Sequence, residues 1–257
     1  MANAAALPLL LRQLRLPTMA GCCLEVTERA LKQGWSIPQT LAALCEYELA
    51  ERERRRLERH LKEARLPVGK TLESFEFDAI AGADRHQLSA LACEVGWIEQ
   101  ARNLLLFGPS GVGKSHLAAA IGQALIEQGQ RVRYYAASTL VQELQVAKQA
   151  LRLADALSKL DKYGLLVIDD IGYVKRTESE TSVLFELIAH RYEAGSLLIT
   201  SNQPFSAWDS VFPDDMMAVA AIDRLIHHAF VVELTGESYR KRAHTRQRKE
   251  QKSTLES

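Results

Sequence analysis

The sequence predicts an α/β protein, a three-layer core around a parallel sheet, preceded by a small all-helical N-terminal domain. Three observations carry this expectation. Leu104-Leu105-Leu106-Phe107 and Leu165-Leu166-Val167-Ile168 are unbroken apolar runs, as strands buried on both faces are. Helical stretches separate such runs, as crossovers between parallel strands require. Residues 4–66, by contrast, read as helix from end to end.

Leu9 to Leu16 is a short apolar segment bounded by Pro8 and Pro17. Thr18 is placed to cap a helix from Met19 to Gln33, which Gly34 stops. Ser36-Ile37-Pro38 reads as a cap with proline in the first turn. A long helix follows, Pro38 to about Ala64, with Leu41, Leu44, Tyr47, Leu49, Leu57 and Leu61 at near-helical spacing. Pro67-Val68-Gly69 ends it, and Lys70 to Asp84 reads as an extended linker, Phe75 and Phe77 alternating with acids. Three parts result: a helical domain at 1–68, an α/β domain at 69–240 and a basic tail at 241–257. Within the core, Leu88–Gln100, Ser115–Gln128, Thr139–Lys162 (with a possible break) and Glu178–Glu193 are expected helices. Asn103–Phe107, Val132–Ala136, Leu165–Ile168, Leu197–Thr200 and Val231–Leu234 are expected strands.

At 257 residues the chain can bury a core without a metal or disulfide to hold it. Cys22, Cys23, Cys45 and Cys93 form no C-x-x-C pair, so neither a zinc site nor a disulfide framework is indicated. The apolar start lacks a basic segment before it and is interrupted by Arg12, and nothing later reaches the ~18 apolar residues of a membrane span. A soluble protein of a reducing compartment, with no membrane partner, is expected.

Lys+Arg and Asp+Glu both number 32, so the chain as a whole has no basic excess. The balance conceals clustering. Glu51 to Arg65 holds seven basic residues, Arg54 and Arg55 among them, against four acids. Tyr239 to Ser257 holds seven, including Arg240, Lys241 and Arg242, against two. Such segments point to anionic partners, and equally to a solvated helix laced with i,i+4 pairs and a frayed tail.

The strongest signal is Gly108-Pro109-Ser110-Gly111-Val112-Gly113-Lys114-Ser115, which fits G-x-x-x-x-G-K-[ST] between an expected strand and an expected helix. Glycines at 108, 111 and 113 let successive amides face a phosphate, and the helix adds its positive end. Lys114 would bridge β- and γ-phosphates and the Ser115 hydroxyl would be a Mg²⁺ ligand. His116 completes the nucleotide-contacting run. Asp169 and Asp170 follow the third apolar strand: Asp169 as the Mg²⁺-side carboxylate, Asp170 to orient attacking water, although an acid pair in this place is usually Asp-Glu. Asn202, at the tip of the next strand, would reach the water or the γ-phosphate.

This set, with Ala221-Ile222-Asp223-Arg224-Leu225, resembles an AAA+ ATPase. Trp97-Ile98-Glu99, Ile168-Asp169-Asp170-Ile171-Gly172-Tyr173, Thr200 to Trp208, Asp223 to Ala229 and Ser238-Tyr239-Arg240 are similar to the IstB helper ATPases of insertion sequences, relatives of the helicase loader DnaC. The resemblance runs over nearly the whole chain. It implies a bacterial cytoplasmic ATPase using ATP and Mg²⁺, which assembles as an ATP-dependent homo-oligomer on double-stranded DNA, largely without sequence preference, and assists a transposase. Arg224 matches the arginine finger, acting in a neighbouring copy. Thr139–Lys162 matches the clade's extra helix, where Lys148, Arg152, Lys159 and Lys162 could track a phosphate backbone, with Glu143, Asp155 and Asp161 diluting their charge. Two other readings share the same core, a DnaC-like replicative helicase loader and a small-molecule P-loop kinase. His227-His228 reads as packing or polar surface, since no third metal ligand is spaced near it in sequence.

Overall fold

The computed structural model describes residues 4–172, 177–204, 207, 208, 215–236, 238 and 239. The chain divides into two units, residues 1–59 and 60–257. Among the described residues no helix is long and apolar enough to cross a membrane.

The first unit is helical: α1 (Leu7–Gln13), α2 (Pro17–Gln33) and the greater part of α3 (Ile37–Ala64). Leu11, Met19, Cys23, Val26 and Leu44 form its core. Gly34 closes α2 at φ 68, the left-handed stop that glycine adopts without strain. At the head of α3, Ser36 and Gln39 cap each other, amide to side chain in both directions. The expected Thr18 cap is not formed. Pro17 occupies the first turn, its fixed φ starting α2 earlier, and the Thr18 hydroxyl is buried without a partner. Glu48 of α3 supplies the acceptor instead, taking the amides of Thr18 at 2.8 Å and Met19 at 3.0 Å. The apolar spacing of α3 marks a helix but not one core face, for Leu44 is buried whereas Leu41, Tyr47, Leu49 and Leu61 are exposed.

The second unit contains α4 (Arg85–Cys93), α5 (Gly96–Glu99), β1 (Asn103–Phe107), α6 (Lys114–Glu127), β2 (Val132–Ala136), α7 (Ala137–Gln149), α8 (Leu153–Leu160), β3 (Leu165–Asp169), α9 (Glu178–Arg191), β4 (Ser196–Ser201), α10 (Asp215–Ile226) and β5 (Ala229–Glu233). The strands form one parallel sheet in the order β2-β3-β4-β1-β5. Leu105, Phe107, Leu166, Ile168, Leu197 and Ile199 face a core shared with α7, α8, α9 and α10. Helix α6 covers the other face, its Gly122 coming close to Val132 and Val167. Strands covered on both sides thus read as unbroken apolar runs because neither face is wet.

Three expectations change. The single helix over 88–100 is two, α4 and α5, parted at Glu94 and Val95. The stretch 215–226, given no helix from the sequence, is α10, with Ala218, Ala221 and Leu225 buried at the 3, 4 spacing that marks one. Residues 70–84 are not an extended linker. Phe75, Phe77 and Ile80 are buried, the two rings meet edge-on at 4.8 Å, and Ala81 pairs with Thr235. Glu73, Glu76 and Asp78 mask that apolar set in the sequence.

Burial works against the charge of Glu48, but the Met19 amide, Arg52 and the Thr18 amide outweigh it and hold its carboxyl below the ordinary value of 4.5. A carboxyl with a lowered folded-state pKa stabilises fully above the unfolded value and loses that contribution as pH falls through the folded one. Glu48→Ala should therefore destabilise the first unit by about 1–3 kcal/mol at neutral pH. Thermal unfolding of the two proteins from neutral to acid pH should show the gap narrowing as the carboxyl protonates; a gap independent of pH would contradict this role.

Candidate nucleotide site

β1 stops at Phe107 and the loop over Gly108–Gly113 turns into α6. Two of its glycines are obligatory. Gly108 has φ 145 and a Cβ there would lie 2.2 Å from the Leu234 carbonyl oxygen; Gly113 has φ 100 and a Cβ would lie 2.7 Å from the Phe75 ring. The loop is thus pressed between a segment before β1 and one after β5. Lys114, the first residue of α6, is buried, and its ammonium donates to the carbonyls of Gly108 at 2.7 Å and Pro109 at 2.9 Å. Burial pushes the Lys114 pKa down, while Asp170 and Asp169 pull it up.

The sheet order sets β4 between β1 and β3, so three strand ends meet beside the loop. Asp169 ends β3 with both carboxylate oxygens engaged: Tyr134 of β2 donates to one and Thr200 of β4 to the other, each at 2.6 Å. The Asp170 amide donates to the same Thr200 hydroxyl at 2.8 Å. Asp170 itself holds φ 65, a conformation that Asp tolerates better than most residues and that recurs at functional sites. Burial first, then the hydrogen bond to Asp169, raises the Tyr134 pKa, so that phenol stays a donor. Just beyond β4, Asn202 Oδ1 is buried without a hydrogen-bond partner, an acceptor awaiting a donor.

A cavity of about 510 Å³ opens here, lined by Ser110 to His116, by Asp170 and Asn202, and by Lys70, Phe75, Ile80 and Tyr239. That volume suits a nucleotide-sized ligand. His116 Nε2 lies 3.0 Å from the Thr71 carbonyl oxygen, which can only accept, so Nε2 carries the proton. Burial lowers the His116 pKa and favours the neutral ring. The Ser115 hydroxyl, at the cavity, and the Asp169 carboxylate are hard oxygen donors of the kind Mg²⁺ takes together with water, so the residues fit that ion.

The structure therefore brings Ser110, Gly111, Val112, Gly113, Lys114, Ser115, His116, Asp170 and Asn202 to one cavity, with Gly108 and Pro109 holding Lys114. Asp169 stands behind Asp170, fixed by its two hydroxyls. Arg224 is not a lining residue; it donates to the Ala220 carbonyl of its own helix at 2.9 Å and lies over the Phe185 ring at 5.3 Å. Lys148 pairs with Glu186 and Ser182, both at 2.8 Å, and Arg152 stands 3.8 Å from Asp155. Lys159 is exposed on α8. Arg54 pairs with Glu51 and Glu58, and Arg55 with Glu51. Arg240, Lys241 and Arg242 lie outside the described residues. Sequence reasoning missed Tyr134 and Phe75, whose roles come from strand pairing and tertiary packing and leave no local signal.

Residues 9–247 match the family model described as IstB-like ATP binding protein. A protein of Sinorhizobium fredii described as an insertion sequence ATP-binding protein is 53% identical over 239 residues, 93% of this chain and 80% of that one. One from insertion sequence IS21 of Pseudomonas aeruginosa is 37% identical over 91% of this chain and 88% of its own. Among solved structures, the DnaC helicase loader superposes with a TM-score of 0.56 at 18% identity, covering 65% of this chain and 98% of that one. AMPPCP-bound DnaA from Aquifex aeolicus gives 0.54 at 21%, over 72% and 56%. The fold is that of the AAA+ P-loop domains.

If Lys114 is the phosphate cation, Lys114→Ala should weaken ATP binding at least about a hundredfold, because a buried charge-assisted contact is lost. Calorimetric titration with ATP and Mg²⁺ reads this directly, and retained affinity would remove the loop from the site.

Proposed function

The chain belongs to the IstB-like ATP binding protein family, and from that premise we propose that this ATPase of insertion-sequence transposition assembles on double-stranded DNA and assists a transposase. The observation that carries the reading is the convergence of the phosphate loop, Asp170 and Asn202 on one cavity at the carboxyl ends of β1, β3 and β4. Lys114 exchanges its two carbonyl partners for β- and γ-phosphate oxygens. Ser115 would hold Mg²⁺ directly and Asp169 would hold it through water, and the ion would neutralise developing phosphate charge when bound. Asp170 accepts a hydrogen bond from the attacking water, and Asn202 orients that water or the γ-phosphate.

Arg224 acts in trans. Its placement on Phe185, away from its own chain's cavity, supports a role in a neighbouring copy, which makes the active form a homo-oligomer. The helical N-terminal domain to residue 68 serves assembly or partner contact, with the ATPase domain at 69–240 and the basic tail at 241–257. DNA contact falls to Lys148, Arg152 and Lys159, to Arg54 and Arg55, and to Arg240, Lys241 and Arg242. The ion-paired members exchange carboxylates for backbone phosphates, so binding is led by charge and indifferent to sequence. The family match spans residues 9–247, helical segment included, whereas the DnaC likeness covers 65% of the chain; this favours transposition over helicase loading.

Arg224→Ala should leave ATP affinity within about twofold and lower hydrolysis by about 10³-fold or more, as loss of an arginine finger does. Mixing it with an Asp170→Asn chain should restore activity, since each mutant supplies what the other lacks; a fully active Arg224→Ala protein would exclude the role. Duplex binding with ATP, followed by fluorescence anisotropy, should weaken by about 10³-fold or more between roughly 50 and 200 mM salt if six or more phosphates are contacted. A flat salt response would rule out a phosphate-led interface.

A further inference from the structure

The two consecutive histidines after α10 have no third ligand near them in sequence, but the fold supplies one. Glu193, in the turn after α9, offers a carboxylate oxygen, and one donor atom from each of Glu193, His227 and His228 lies within 4.8 Å of the other two. All three side chains are exposed. The backbone beneath them is pinned on both sides, the His227 amide donating to Asp223 of α10 and the His228 carbonyl accepting from Asn103 of β1.

The neighbour Tyr192 sets the chemistry of this cluster. Its hydroxyl oxygen lies 2.7 Å from His227 Nδ1, with the two rings stacked. In the tautomer that carries its proton on Nδ1, His227 donates to the phenol oxygen and Nε2 keeps its lone pair for an ion. A ligating histidine fixed through its other nitrogen is the usual outer-shell arrangement at a metal. The cluster also follows the C-terminus of α10, where the helix dipole favours a cation. Two cations stand nearby: Arg102, which lines a surface hollow with His227 and His228 and lies over the Phe230 ring at 4.0 Å, and Arg224, in the last turn of α10 next to Asp223.

We propose that Glu193, His227 and His228 form a binding site for a divalent transition-metal ion of the zinc class, with one coordination position open. Two imidazoles and a carboxylate suit zinc, copper or nickel rather than magnesium. Bonds of about 2.0–2.1 Å set tetrahedral donors about 3.4 Å apart, so closing on an ion takes rotations of about an ångström by exposed side chains. An ion there ties the end of α9 to the end of α10, the helix that carries Arg224.

The test uses the full chain, produced without a histidine tag, stripped with a chelator and titrated with zinc chloride in the absence of nucleotide. One ion per chain should bind. His227→Gln with His228→Gln should lower affinity at least about a hundredfold, and Tyr192→Phe about tenfold, since it removes orientation but no ligand. His228→Gln alone, a surface change, should also weaken binding and covers the case of a misfolded double variant. Zinc should raise the melting temperature of the parent and not of the double variant. Absence of zinc binding, equal affinity in the variants, or a cobalt spectrum with a thiolate charge-transfer band, placing the ion on cysteine, would overturn the assignment.

Discussion

One hydroxyl joins the parts of the site. Thr200 gives its proton to Asp169 and takes the amide of Asp170, and it does so from β4, a strand buried along its whole length. In that dry setting a polar side chain must have its bonds satisfied, so the two contacts fix the register of the β3 end against β4. The left-handed turn falls at the same residue, Asp170, whose amide meets Thr200 and whose side chain lines the cavity. Tyr134, from β2, closes the other side of Asp169. The acids are thus held by a line of hydrogen bonds across β2, β3 and β4.

The loop faces them from β1, and its own constraint is steric. Phe75 and the Leu234 backbone leave no room for a Cβ at Gly113 or Gly108, so the loop is shaped from outside as much as by its own flexibility. The Tyr239 amide donates to the Gly111 carbonyl at 2.9 Å and adds a third brace. Lys114 meanwhile satisfies its charge on two carbonyls of the loop. An arriving phosphate competes with neutral acceptors and not with a carboxylate, and a buried ammonium gains more from an anion than from a carbonyl.

Much of this was legible because it is local. A phosphate loop is a run of adjacent residues, and strands covered on both faces show as runs without polar interruption. The sheet order was not read from the sequence, because right-handed crossovers leave several strand orders open. What the sequence hid depends on residues far apart along the chain. Glu48 caps a helix thirty residues upstream through Thr18, which no spacing rule anticipates, and the Thr18 that looks like a cap has its hydroxyl buried. Phe75 sits among acids and reads as linker, yet it forms the floor under Gly113. Tyr134 reads as one aromatic of a strand, and only the pairing of β2 with β3 shows that it reaches Asp169.

Helix α9 ties these features to the rest of the domain. Arg224 of α10 lies on Phe185 of α9, Lys148 of α7 pairs with Glu186 of α9, and His227 meets Tyr192 at the turn that ends it. Its last residue, Arg191, is buried and donates to the carbonyls of Tyr163, Gly164 and Ser196 at the starts of β3 and β4. A guanidinium shared among three carbonyls resists sliding, since any shift breaks several bonds in a place water does not reach. The helix is thereby locked to the two strands whose opposite ends carry Asp169 and Thr200. Side chains on α7 and α10 then share a backing that cannot move independently of the acids, whatever they contact on their outer sides.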